Sequence, residues 1–273
     1  MNDAVKKIGI VTLNGYFNFG NRLQAYALQE VVKELGFVAH TIVPIKNNIS
    51  DQKSESVAQK ISRISSLHMR DILKRMSKKI QKIIFYRTIK KRTKKLKDFS
   101  KTFLSEVFYD ASLESLKAAD DIYDYFITGS DQVWNPYGIT GIEHAFFLAF
   151  AEPQKRISYA ASFGIEHLPN HYKEMITPWL SSMRAISVRE ESGAEIVKNT
   201  SGREATISLD PTLLLSKEKW LDIATRGRKD NGKFILLYFL GEKTAETMLL
   251  VKEASKKFNL DIVDLNNPRD SQV

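Results

Sequence analysis

A chain of 273 residues is long enough for one large or two modest domains, and 43% hydrophobic with 27% charged residues is a globular composition, not a collagen-like or disordered one. The absence of cysteine excludes a disulfide scaffold, a thiol nucleophile and thiolate metal or iron–sulfur sites, and points to a reducing, cytoplasmic setting. The net charge of +9 is unevenly spread: from Lys60 to Lys101, 16 Lys or Arg face only Asp71 and Asp98, a local +14 that leaves −5 for the rest.

The N-terminus carries no charged-then-apolar leader, and no apolar run reaches the roughly 18 residues needed to span a bilayer, so a protein neither exported by that route nor integral is expected. Ile8 to Leu13 predicts a buried parallel strand. It runs into the turn-rich NGYFNFGN and then a helix, on which Leu23, Ala27, Leu28, Val31 and Leu35 mark an apolar face, Asn21 caps the start and Gly36 the end. A second strand, Phe37 to Val43, completes a βαβ unit. An open α/β sheet follows, with ligands expected at the carboxyl ends of its strands, where Asn14 to Gly20 lies.

Residues 46–56 are polar and predict a linker. The basic segment after it carries an apolar stripe of Met69, Ile72, Leu73, Met76, Ile80, Ile83 and Ile84, which either faces a core or lies on a membrane. The sheet resumes with Asp124 to Gly129, Arg156 to Ser162 and Ala185 to Glu190; helices are predicted over Tyr172 to Met183, from Glu190 to Lys198 and from Lys217 to Ile223. A polar stretch, Arg226 to Lys233, precedes a fresh strand–helix–strand pattern: FILLYFL, Thr244 to Phe258 and Asp261 to Leu265. Two parallel strands and one helix cannot bury their apolar faces alone, so this piece extends the main sheet, pairs with another chain or belongs to a larger domain. The expected division is 1–225, an α/β domain with a basic helical insertion at about 46–105, and 226–273, the start of an incomplete second α/β domain.

The chain has no Walker loop, GxGxxG, GxSxG or HExxH, and its five histidines (His40, His68, His144, His167, His171) form no helical ligand pair, Pro169 standing between the last two; no metal site is expected. Three strand ends are rich in polar groups. In NGYFNFGNRLQ, backbone amides and Arg22 could hold an anion or a hydroxyl-rich ligand, or the loop simply needs Gly15 and Gly20 for its backbone angles. In TGSDQVWNP, Ser130, Asp131, Gln132, Trp134 and Asn135 combine a carboxylate and amides with an aromatic, as sugar recognition requires; the competing reading is a turn capped by Asp131 over a buried Trp134. In SVREESG, Arg189 leaves a strand where its planar fork suits a phosphate or carboxylate, or where it pairs with Glu190, Glu191 or Asp210.

In this order, NFGNRLQAYALQ, DYFITGSDQVWNP, ISYAASFG, AISVREESG and LDPTLLL resemble the polysaccharide pyruvyl transferase family, over about residues 6–220, with 46–105 matching poorly. The resemblance implies two Rossmann-like halves of glycosyltransferase-B type around a cleft. It also implies transfer of pyruvate from phosphoenolpyruvate to a sugar of a cell-surface glycan precursor, usually as a ketal, with release of phosphate and no cofactor. On that likeness Arg189 grips the donor and, with Asp131 as base or hydroxyl anchor, is assigned to catalysis; Asn21, Arg22, Gln24, Ser130, Asp131, Gln132, Trp134 and Asn135 are assigned to the acceptor. Tyr159, Ser162 and Asp210 match as well and are assigned to shaping loops. The family's serine-and-histidine motif, source of a suitable acid, lies beyond the end of this chain, so the chain alone is expected to be inactive, completed by a missing C-terminal half or by another copy.

Two other readings remain: a non-catalytic glycan-binding or scaffolding protein of polysaccharide synthesis, and a glycosyltransferase on the same scaffold. Nucleic acid is disfavoured, because the +14 stretch has only Phe85, Tyr86 and Phe99 as aromatics and no recognised module. Residues 60–101 are instead expected to dock on the anionic inner membrane face, where lipid-linked glycan precursors reside.

Overall fold

The computed structural model describes residues 4–16, 18–46, 89–224, 232–239 and 243–265. The predicted linker at 46–56 falls outside these beyond Lys46, as do the apolar stripe of Met69 to Ile84, the basic residues 60–88 and all but the last two residues of the polar stretch from Arg226 to Lys233. The chain divides into two compact units, Met1–Ser50 with Leu96–Asp222, and Asp51–Lys95 with Ile223–Val273.

The first unit is built on β1 (Lys7–Val11), α1 (Phe19–Glu34) and β2 (Val38–Ile45), the βαβ unit of the sequence pattern. A helix, α2, over residues 89–103, which belongs to this unit from Leu96 onward, leads into β3 (Glu106–Asp110) and a short α3 (Leu113–Lys117). Next come β4 (Tyr125–Thr128), the single turn α4 (Glu143–Phe146), β5 (Arg156–Ser158), α5 (Asn170–Ser182), β6 (Ser187–Val188), α6 (Glu191–Ser201), β7 (Thr206–Ile207) and α7 (Lys217–Ile223). Five parallel strands stand in the order β3-β2-β1-β4-β5. Single-residue parallel pairings, Ile157 with Ala185 and Ala161 with Val188, carry the order on to β6, which pairs with β7. This is a Rossmann-like arrangement, whose strand order reverses between β1 and β4.

Pleat alternation sends Ile8 and Ile10 to one face of the sheet, where they pack with Leu28 and Val32 of α1, while Val11 joins the larger core on the other face with Phe126, Trp134, Phe147 and Phe163. The strands read as unbroken apolar runs because helices cover both faces.

Helix α1 departs from its sequence reading in three ways. Its N-cap is Asn18, whose side chain accepts from the Gly20 amide at 2.8 Å, while Asn21 lies inside the first turn and is buried. Neither Gly15 nor Gly20 takes a positive φ; the glycine that does is Gly36 (φ 88°), which ends the helix as expected. Leu23 and Leu35 are exposed, whereas Asn21, Arg22, Gln24 and Gln29 are buried, because each of these polar side chains has partners inside. Gln29, for example, donates to the Phe103 carbonyl at 3.0 Å and accepts from the Ser105 amide at 2.8 Å, tying α1 to the end of α2. Tyr26 packs among Phe99, Phe103 and Trp220, which fixes α2 and α7 against the same helix.

On α2, Leu96 and Ser100 are buried and Lys94, Lys95, Lys97 and Lys101 are exposed. No helix among the described residues is long and apolar enough to cross a membrane.

In the second unit, β8 (Phe234–Leu237) and β9 (Asp261–Asp264) pair in parallel through α8 (Ala245–Phe258). Thr244 caps α8 by accepting from the Thr247 amide, and Asn259 ends it in the left-handed region at φ 48°. Leu236, Leu249, Leu250 and Phe258 are exposed.

Candidate functional site

The point where the strand order reverses brings the loops after β1 and β4 side by side, and α1 supplies the side chains that join them. Gln24 donates to the Thr12 hydroxyl (2.7 Å) and accepts from the Ser130 amide (3.2 Å); Thr12 in turn donates to the Ser130 carbonyl (3.1 Å). Asn21, one turn earlier, donates to Asp131 Oδ2 at 2.6 Å. Thr12, Gln24 and Ser130 are all buried, so these bonds form away from competing water.

The loop after β4 requires glycine at its first position. The Gly129–Ser130 peptide is cis, and Gly129 has φ 123° with its α-carbon so close to the Tyr159 carbonyl that an added Cβ would lie 2.1 Å from that oxygen. Asp131 is itself left-handed (φ 72°), its Oδ1 accepting from the Gln132 amide at 2.9 Å. Trp134 turns inward: it is 0% exposed, stacked on Phe147 at 5.1 Å, and its indole N–H donates to the Phe146 carbonyl. The competing sequence reading, a turn capped by Asp131 over a buried tryptophan, therefore describes the geometry. The polar edge left outside is Asp131, Gln132 and Asn135, with the Asn135 amide donating to Gln132 Oε1 at 2.9 Å.

Arg189 enters from the end of β6. Its Nε meets Glu190 Oε1 at 3.0 Å and its Nη1 meets Asp210 Oδ2 at 3.3 Å, with the side chain 30% exposed. Asp210 also accepts from the Ser130 hydroxyl (2.8 Å) and, through its other oxygen, from the Thr212 amide and hydroxyl (3.0 and 2.7 Å). One carboxylate thus ties together the ends of β4, β6 and β7. Burial opposes the charge on Arg189, but Glu190, then Asp131 and Asp210, outweigh it and hold the guanidinium above its ordinary pKa. Burial likewise pushes Asp210 up, but the Thr212 and Ser130 hydrogen bonds and Arg189 more than offset this and hold it below the usual carboxylate range.

A lowered pKa makes Asp210 stabilising above its unfolded value of about 3.9 and progressively less so as pH falls through the folded value. Asp210→Asn is expected to lower the melting temperature at neutral pH, with a deficit relative to wild type that shrinks as pH drops below about 4. Melting curves of both proteins from pH 7 to pH 3 check this; a deficit constant with pH would show that the charge is not what Asp210 contributes.

A polysaccharide pyruvyl transferase family model matches residues 18–271, nearly the whole chain. The chain belongs to that family. Comparison with curated proteins and with solved structures gave no match. In this family member the residues singled out from sequence fall into three groups. Asn21, Gln24, Ser130, Asp131 and Arg189 converge, directly or through Asp210, at the strand ends. Gln132 and Asn135 form the adjoining outer edge, while Trp134 lies beneath it in the core. Arg22 points away: at 1% exposure it donates to Glu106 Oε1 (2.7 Å), the Leu13 carbonyl (2.7 Å) and the Ser100 hydroxyl (3.3 Å).

Three residues of the cluster were not singled out as site residues from sequence. Thr12 is an ordinary strand residue by pattern. Glu190 and Asp210 appeared only as alternative ion-pair partners of Arg189 or as loop formers. Tyr159 belongs beside them, its hydroxyl donating to the Leu209 carbonyl at 3.1 Å and its pKa raised by burial and then by Asp210. His40 meets the Tyr123 hydroxyl and His144 the Ala111 carbonyl; no group of three or more metal-ligating side chains occurs among the described residues.

Proposed function

We propose that this family member forms a pyruvate ketal on a sugar of a glycan precursor, with phosphoenolpyruvate as donor, and that the strand-end cluster serves it with Asp131 on the acceptor side and Arg189 on the donor side, on a scaffold of glycosyltransferase-B type. In that reaction the enol CH2 of the donor takes a proton and becomes the methyl group, and two sugar hydroxyl oxygens bond to the adjacent carbon. The carbon–oxygen bond to phosphate breaks. Of the two hydroxyl protons, one balances the proton taken up by carbon and the other leaves on phosphate. The site must therefore hold hydroxyls, receive protons and stabilise an anion.

The observation that carries the reading is the convergence of Asn21, Asp131, Ser130, Asp210 and Arg189 where the strand order reverses, in a chain of this family. Asp131 is partly exposed and held by Asn21 and the Gln132 amide, so it serves as hydroxyl anchor or base. Arg189 serves the donor through its partly exposed fork. Three carboxylates, Asp131, Glu190 and Asp210, act on that one guanidinium, so a multiply charged donor must displace Glu190 and draw further cations, and its acid, from outside this cluster.

The same excess of carboxylate favours a second reading, sugar binding without transfer, because carboxylates accept from hydroxyls and repel anions. Incubation with phosphoenolpyruvate and a lipid-linked or nucleotide sugar, following phosphate release, separates the two. Transfer predicts acceptor-dependent release that Arg189→Ala abolishes. Sugar binding with neither phosphoenolpyruvate binding, by calorimetry, nor phosphate release would leave the second reading.

A further inference from the structure

We infer that Tyr137 is the sugar-stacking platform of this site, a binding residue for the apolar face of a pyranose ring; the inference rests on the reading that the acceptor sugar lies along the loop after β4. The sequence pattern asks for an aromatic face beside amides and a carboxylate, and Trp134, the obvious candidate, is consumed by the core. Tyr137, three residues on, is 73% exposed. Its backbone is fixed to the polar edge: the Tyr137 amide donates to Asn135 Oδ1 (2.9 Å), the Gly138 amide to the Asn135 carbonyl (3.1 Å), and the Asn135 side chain to Gln132 (2.9 Å).

Both ends of this short turn are anchored, since Ile139 is buried and the Lys46 ammonium donates to the Thr140 carbonyl at 2.6 Å. A single exposed aromatic on a surface is ordinary. One carried on a turn whose own hydrogen bonds run through the amides of Asn135 and Gln132 to Asp131 offers more. It carries an apolar plane on an anchored backbone, with only two side-chain torsions left to fix, a few residues from groups that bond hydroxyls. A pyranose presents that combination: axial C–H bonds on one face and hydroxyls around the rim.

The test is saturation-transfer NMR of the full chain with the methyl pyranosides of glucose, galactose and mannose, beside calorimetry with phosphoenolpyruvate. At least one pyranoside is expected to bind, with transfer concentrated on the C–H protons of one face. Tyr137→Ala should weaken that binding roughly 2–10-fold, the range of a lost aromatic contact, while Tyr137→Phe retains it. Donor binding should be the same in all three proteins. Failure of every pyranoside to bind, or equal binding by Tyr137→Ala, overturns the inference. Tyr137-dependent pyranoside binding in a protein that neither binds phosphoenolpyruvate nor releases phosphate from it would sink the transfer reading and leave this one standing.

Discussion

Arg22→Ala is expected to lower the unfolding free energy by about 3–5 kcal/mol, the cost of removing one member of a buried ion pair and leaving the other charge uncompensated. Glu106 is the charge left behind, its side chain only 8% exposed. Its other oxygen accepts from the Tyr16 hydroxyl at 3.1 Å, a neutral donor that cannot replace a guanidinium. Arg22 itself spans three elements: Nη2 reaches the Leu13 carbonyl after β1, and Nη1 serves Glu106 on β3 and Ser100 on α2. Tyr16 lies over the guanidinium at 5.4 Å and under Lys97 at 5.3 Å, closing the group off from water. Burial draws the pKa of Arg22 down despite the opposing pull of Glu106, as a desolvated cation should behave. Urea unfolding of Arg22→Ala measures the loss, and the double variant Arg22→Met, Glu106→Leu should recover most of it because an apolar pair of similar volume carries no desolvation cost. A loss below about 1 kcal/mol, with sugar binding abolished instead, would return Arg22 to the ligand.

Trp134→Ala is the second large effect, expected at about 3–5 kcal/mol for a fully buried aromatic truncated to alanine. The indole is parallel to Phe147 (interplanar angle 6°) and sits 5.2 Å from Phe163, while Tyr172 donates to the Trp134 carbonyl at 3.3 Å. Truncation would open a cavity under the loop that carries Asp131 and remove one of two side-chain donors to the Phe146 carbonyl, the Thr128 hydroxyl at 2.6 Å remaining. In a domain of this size the loss corresponds to a fall in melting temperature on the order of 10 °C. Trp134→Phe keeps most of the packing and loses chiefly the indole hydrogen bond, for roughly 1 kcal/mol. Calorimetric melting of both variants distinguishes this from a ligand-facing tryptophan, for which Trp134→Ala would melt with wild type.

The contrast between these two residues and Asp131 or Arg189 shows where sequence legibility stops. The alternation of apolar runs with helical spacing marked β1, α1, β2, β4 and β5 closely, because parallel strands covered on both faces leave a strong signal. β3 and β7 left little: Glu106–Asp110 follows directly on a basic helix, and Thr206–Ile207 is two exposed residues held by one neighbouring strand. Motif reading singled out loops that meet at the strand ends but not which of their side chains face out. TGSDQVWNP is written identically whether its tryptophan packs on Phe147 or on a ligand, since the direction is decided by partners distant in sequence. The same holds for Asn18 and Asn21, equally able to cap by residue type; Asn18 takes the cap because Asn21 is drawn to Asp131, 110 residues away.

Asn21, Arg22 and Gln24 leave one helix within a single turn, and each successive residue rotates about 100° around its axis. Asn21 and Gln24, three residues apart, share a face and reach the adjoining loops after β4 and β1, while Arg22 points to the β3–α2 side. The length of the segment from Thr12 to Asn18 is consequently constrained, as are Thr12, Tyr16 and Asn18 through their side-chain hydrogen bonds. A one-residue insertion that advanced the helix register would swing all three side chains off their partners together, so homologues are expected to keep the spacing between β1 and α1.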